Sequence, residues 1–453
     1  MKGPCKYQPK PLLSILFKFR QRKIGICGDI REMFHRVNIR YQDQTAQRFL
    51  WRGGDSTRSP DIYIMSAMIF GSACSPCCAQ YVKNLNAEYY SNFEPRAHKA
   101  IVDCHHVDDF VDSFDTIVEA LSVTRSVIRI HKEANFELRG FISNSADLLD
   151  SLEPDENGNK MDFKNFCGSE STGEKVLGLF WSPKTDSFYF NLKFSKLPSA
   201  VRDGQRIPTK SEVLSVTMSI FDPFGFLANV VIRSKLILQE LWKFYIDWNA
   251  PISTETYRRW YDWFTELENV KYIEIPRCYA ANFTSPGTII DLHVFVDASE
   301  VAFAAVCYWR ITCGDQVEIK FVAGKVKCAP LKPLSIPRLE LQSAVLGVRL
   351  KEAIVTSHDI KPNKITFWSD SKTVVRWIQS DCRIYKQFVS HRIAEILEHS
   401  TVEEWRWIPG SQNPADDATR PHQFSGKVSR LIGHVFQRKL NRLEKIQKFE
   451  QNS

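Results

Sequence analysis

Four acids in the last third of the chain stand where acids are costly. Asp297 closes the apolar run HVFVDAS, and Glu340 sits early in the apolar stretch PRLELQ. Asp370 closes ITFWSDS, and Asp416 follows WRWIPGSQNPAD. A carboxylate at the end of a buried strand loses hydration. Several that converge without matching Lys or Arg need a cation. Ligation by oxygen alone selects a hard ion, Mg2+ or Mn2+. Two such ions about 4 Å apart would activate a water and stabilise the leaving oxygen of a phosphodiester. Singly, each acid is equally well a strand-end or helix-capping residue; four in this order point to a site. A second set lies earlier. GDIREMFHRV puts Asp29 at the end of a buried strand, and HHVDDFVDSF puts Asp108 and Asp109 at a hairpin tip. Adjacent strand residues point to opposite faces, so both tip acids reach one site only if a tight hairpin turns them there. One strand-end acid and a tip pair suit a two-metal nucleotidyl transfer. GSACSP, between them, could turn against a nucleotide.

The elements that must hold these acids are legible in the hydrophobic periodicity. KIGICGDI reads as a buried strand, and RFLWRG and DIYIMSAMIF as two more, joined by GGDSTRSPD. SPCCAQYVKNLNAEYYSNF and TIVEALSVTRSVIRIHKEANFEL have helical period, and AIVDCHHVDDFVDSF reads as a hairpin. DLLDSLEPDENGNKMD is a polar loop, and KVLGLFWSPKTDSFYFNL turns back on itself at SPKTDS. Residues 196–285 are helical, opened by the capping box TKSE and interrupted by DPFG. From residue 286 the strands IIDLHVFVDAS, AFAAVCYWRI and QVEIKFVAGKV precede the helix IPRLELQSAVLGVRLKEAI. The strand KITFWSDS, two helices and the strand EEWRWIP follow. This order predicts an α/β protein in four parts: a mixed segment 1–195, a helical segment 196–285, a mixed sheet with flanking helices over 286–420, and a basic tail 421–453.

VFVDAS, PRLEL, FWSDS and WIPGSQNPADDATR resemble the four acidic motifs of a retroelement ribonuclease H. The resemblance implies a five-stranded mixed sheet and cleavage of the RNA strand of RNA–DNA hybrids. Its implied metal ligands are Asp297, Glu340, Asp370 and Asp416, with Asp417 the neighbouring alternative for the fourth. The family pattern Asn-Pro-Ala-Asp falls on residues 413–416 and favours Asp416. The two cannot serve interchangeably, since one helical step turns a side chain by about 100°. Earlier, DIREMFHRV, QRFLWR, IFGSACSP, HVDDFVDS, NFELRGFISNS and VLGLFWSPKTDSF follow the order of BEL/Pao-type retrotransposon reverse transcriptases. LSVTMSIFDPFGFLANVVIRSKLILQELW resembles the connecting region of those polyproteins. The implied fold is an α+β polymerase palm, a helical thumb or connection, and ribonuclease H. The implied polymerase metal ligands are Asp29, Asp108 and Asp109, with two Mg2+ or Mn2+ ions per site. RNA–DNA hybrid and deoxynucleotide triphosphates are the implied partners.

The chain departs from that pattern in three places. His106 stands where Tyr is usual, Gly140 where Lys is usual and Phe141 where Trp is usual; only 28 residues precede Asp29, too few for a fingers subdomain. The chain also stops before any zinc-binding or integrase core. The expectation is therefore a polyprotein piece or decayed copy with impaired polymerisation. A non-catalytic remnant that binds nucleic acid through its basic ends and through Lys325, Lys327 and Lys332 is an alternative. An aspartic peptidase is a third reading, because this family region has also been labelled a Pao retrotransposon peptidase. Neither DAS at 297–299 nor DSK at 370–372 has the glycine of the Asp-Thr/Ser-Gly loop where two carboxylates share a proton.

Composition agrees with a globular, nucleic-acid-directed chain. Of 453 residues, 43% are hydrophobic and 25% charged, which excludes a mainly disordered, collagenous or repeat-array protein. The net charge of +8 is uneven: residues 1–40 carry +8 and 421–453 carry +5, leaving the middle acidic. Basic ends suggest a polyanion partner. No run of 18 apolar residues predicts a membrane span, and PLLSILF is too short for a secretory core with its flank, so an intracellular site is expected. The twelve cysteines then stay reduced. Cys74, Cys77 and Cys78, and Cys104 with His105 and His106, have metal-ligand types but lack the spacing of a second pair.

Overall fold

The computed structural model describes residues 10–152 and 174–420. The basic tail and most of the loop after Leu152 lie outside the described residues. The chain divides into two compact units, one running up to Leu177 with Ser182–Asp186, the other comprising Gly178–Trp181 and the chain from Ser187 onward.

In the first unit, four antiparallel strands are ordered His105–His106, Asp109–Phe114, Ile24–Ile30 and Leu138–Ser143. The alternation of KIGICGDI is weak because the strand is central and covered on both faces. Ile26, Phe110, Phe114 and Phe141 meet Ala97, Ile101, Val127 and Ile130 from helices in one core. Those helices are Pro95–Asp103 and Ile117–Glu133, and Ser75–Glu88 adds Ala79 and Ala87. Thr116 caps the long helix by accepting the Glu119 N–H. Two details differ from the sequence reading, and one helix adds to it. AIVD closes the helix Pro95–Asp103 instead of forming a hairpin arm, because its apolar residues continue a helical stripe. Leu12–Phe19 is a helix. Ala146–Ser151 is a short helix capped by Ser145, where a loop was expected. RFLW and DIYI do pair as a hairpin, Arg48–Trp51 with Asp61–Ile64, and all eight residues are exposed.

In the second unit, a five-stranded sheet is ordered Gln316–Cys328, Ala302–Cys313, Ile289–Ala298, Lys364–Ser369 and Trp405–Trp407. The first three strands are antiparallel; the last two run parallel to Ile289–Ala298. Helix Ile336–Ser357 lies in the long connection that the parallel pair needs and packs on the central strands. The helices Lys210–Ser219, Ala228–Lys243 and Thr254–Glu266 belong to the same unit. DPFG explains how they are fixed to the sheet. Half-buried Asp222 accepts the N–H groups of Gly225, Phe226 and Leu227 at 3.0, 2.9 and 2.7 Å. Gly225, at φ +78°, lies so near strand Gln316–Cys328 that a Cβ there would fall 2.0 Å from Gly324 O. Gly324 N–H donates to Phe224 O at 2.7 Å, which satisfies part of an otherwise open sheet edge.

Candidate active sites

The strand register sets the first two acids of the second unit side by side. Val296 pairs with Ser369 across the parallel strands. Asp297 and Asp370 follow one residue later, so both carboxylates leave the sheet at the same end, about 4.8 Å apart in backbone. Glu340 comes from helix Ile336–Ser357 and is tied to this end by Ser371, whose Oγ–H donates to Glu340 Oε2 at 2.5 Å. The same Ser371 Oγ accepts the Val374 N–H and caps helix Lys372–Gln379. Asp416 opens the short helix Asp416–Thr419.

The segment before Asp416 explains the Asn-Pro of its motif. Asn413 is fully buried, donates from Nδ2 to Val296 O at 2.9 Å and accepts the Ala415 N–H at 3.1 Å. It thereby docks the segment onto the strand that carries Asp297. Gly410 leaves room for Asp370: a Cβ there would meet Asp370 Oδ2 at 3.0 Å. Trp407, on the last strand, donates its indole N–H to Asp370 O at 3.0 Å while Lys372 Nζ stands 4.6 Å from its ring.

Three of the acids are raised by burial and by a neighbouring acid's charge. Burial, with the charges of Asp370 and Asp416, pushes Asp297 up to about 7. Burial also raises Asp370, aided by Asp416, and raises Glu340, aided by Asp370. Thr419 donates its hydroxyl to Asp297 Oδ2, and Arg420 pairs with Asp416. Sequence reasoning passed over Ser371, Thr419 and Arg420, although all three lie within the quoted motifs. The signal was spacing: Thr419 and Arg420 lie three and four residues after Asp416, on its side of a helical turn.

In the first unit the antiparallel register puts Asp29 directly opposite Asp109, so the two side chains share a face. His106 pairs with Asp109 across a two-residue tip, Val107–Asp108, with Val107 at φ +60°. A β-branched residue there is unusual and marks a tightly held turn. Burial raises Asp108, and the charge of Asp29 adds to the rise. Arg139 Nε lies 3.8 Å from Asp29 Oδ2. His106 Nδ1 lies 3.2 Å from Lys10 O.

Among the described residues no three His, Cys, Asp or Glu side chains stand at metal-binding spacing. The donor chemistry of the second-unit cluster nonetheless fits a hard divalent ion: all-oxygen ligands, partly buried, with mutual repulsion that a cation would relieve. Among the described residues the cysteines form no disulfide, and His105 Nε2 lies 3.2 Å from His131 Nε2. No described helix is long and apolar enough to cross a membrane.

The comparisons agree with this architecture. Residues 209–371 match the family described as Pao retrotransposon-like RNaseH-like domain, which spans the connecting helices and the sheet as far as Ser371. That description names a ribonuclease H-like fold and no peptidase. No curated protein sequence matches the chain. Among solved structures, it is similar to a foamy viral protease-reverse transcriptase in complex with RNA/DNA hybrid, at 16% identity and TM-score 0.54, over 93% of this chain and 48% of that one. A second foamy viral structure, a dRH form with double-stranded DNA, gives 15% identity and TM-score 0.51, over 89% and 60%. A third, the foamy viral protease-reverse transcriptase with double-stranded DNA, gives 15% and 0.50, over 90% and 71%. The chain thus spans about half the length of the first of these. Residues 209–371 thus match the Pao retrotransposon-like RNaseH-like domain, and the structural likeness shows a shared fold over most of the chain.

Proposed function

We propose that the second unit is a nuclease that hydrolyses the RNA strand of an RNA–DNA hybrid, with Asp297, Glu340, Asp370 and Asp416 as ligands of two Mg2+ or Mn2+ ions. The observation that carries this reading is the parallel register that sets Asp297 and Asp370 level at one sheet end, within electrostatic reach of Glu340 and Asp416. Bound there, the ions would supply Lewis acidity and a hydroxide-like water. The protein residues do the positioning. Asn413 and Trp407 fix the Asp370 end of the sheet, Ser371 orients Glu340, and Thr419 orients Asp297. Burial keeps bulk water from screening the carboxylates.

We further propose that Asp29, Asp108 and Asp109 are the corresponding ligands of a polymerase palm in the first unit, with deoxynucleotide triphosphates and a primed template as substrates. The support is the shared face of Asp29 and Asp109 and the charge coupling of Asp108 to Asp29.

The test is hydrolysis of a labelled RNA–DNA hybrid by the purified chain in Mg2+ and in Mn2+. Asp370→Asn should reduce cleavage by about 100-fold or more, because charge at the ion acts directly on the transition state. A wild-type chain that binds hybrid but leaves it intact would support the binding-remnant reading instead.

A further inference from the structure

The short helix Asp416–Thr419 ends in two side chains that turn back on the carboxylates. Thr419 is buried and donates to Asp297. Arg420 follows and places its Nε 2.8 Å from Asp416 Oδ1. Its positive charge is also felt at Asp297 and Asp370. The Asp416 side chain is 25% exposed and that of Arg420 is 58% exposed, which leaves the arginine room to move.

A guanidinium and a divalent ion cannot both hold Asp416 without strong mutual repulsion at that distance. The guanidinium fork is also the side-chain group best shaped for phosphate oxygens. We propose that Arg420 is the resident counter-ion of the carboxylate cluster: it holds Asp416 when no divalent ion is bound, releases it when an ion binds, and then pairs with a backbone phosphate of the bound nucleic acid. The exchange at Asp416 stands on the ion pair alone. The phosphate contact rests on the nuclease reading.

The experiment titrates Mn2+ calorimetrically into the full chain, wild type and Arg420→Gln, with thermal unfolding in EDTA and in saturating Mn2+. Without its competitor, Arg420→Gln should bind Mn2+ about two- to fivefold more tightly, the fold-change expected for loss of a partly exposed ion pair. It should melt earlier than wild type in EDTA and regain the wild-type midpoint in Mn2+. A merely structural arginine would lower both midpoints and leave or weaken the affinity, and that result overturns the exchange. The second arm measures binding of a hydrolysis-resistant 2′-O-methyl RNA–DNA hybrid in Mn2+ at several salt concentrations. Arg420→Gln should weaken binding and reduce the salt slope by about one, whereas Arg420→Lys should keep the slope. Equal affinity and slope in wild type and Arg420→Gln overturn the phosphate contact. A wild-type chain that fails to bind hybrid at all overturns the nuclease reading, while the Mn2+ titration still decides the exchange.

Discussion

Replacing Gly140 by lysine, the residue the resemblance leads one to expect there, should cost stability without restoring polymerisation. Gly140 lies in strand Leu138–Ser143 at φ +63°. The opposing strand pairs Cys27 with Ile142 and Asp29 with Arg139, so Gly140 and Phe141 together face the single residue Gly28. This is a bulge whose glycine occupies the left-handed region. A side chain there costs about 1–2 kcal/mol. At roughly 2–4 °C per kcal/mol for a unit of this size, the midpoint should fall by about 2–8 °C. Gly140→Ala should cost as much, since the penalty lies in the backbone, and Gly140→Asn less, since Asn tolerates this region. The charge that lysine would add is partly present already, because Arg139 stands 3.8 Å from Asp29. Thermal unfolding of the three variants, with primer extension on an RNA template in Mg2+ and Mn2+, checks both halves. A Gly140→Lys protein as stable as wild type, or one that gains primer extension, would refute the reasoning.

Asp416→Asn should abolish hybrid cleavage while Asp417→Asn retains most of it, because the charge of Asp416 acts on Asp297 and Asp370 and one helical step turns the Asp417 side chain about 100° away from it; equal losses in a cleavage assay would sink the assignment. Acid should weaken the first unit through His131, which burial pulls down to about 3 from 6.5 beside His105 and Lys83. The unfolded chain takes up the proton first, so the stability is complete above about pH 6.5 and is lost as pH falls toward 3. Between pH 7 and 5 the loss is about 2 kcal/mol at about 1.4 kcal/mol per pH unit. His131→Gln should therefore show a shallower fall in unfolding midpoint over that range, and parallel curves for the two proteins would contradict this account.

The sequence by itself determined which residues are acids at strand ends, in what order, and between which apolar runs. Apolar periodicity placed the central strands and the long helices, because burial on one face or two is a local pattern. The DPFG break and the TKSE cap were likewise local, the latter present as a Thr209–Glu212 capping box. What only the tertiary structure decided is register and partnership. No local pattern states that Val296 lies beside Ser369, or that Asp29 lies opposite Asp109, since strand pairing is fixed by contacts between residues far apart in the chain. The helical fate of AIVD was hidden for a related reason: a short apolar run fits either period, and packing against Ile117–Glu133 selects the helix. Gly140 read as a missing cation from its residue type alone; its left-handed backbone became visible only with the bulge. Thr419 and Arg420 were plain in the sequence but mute until the helix that follows Asp416 brought their side chains back to the carboxylates. Residue type is a property of the chain, whereas the distance between two charges belongs to the fold.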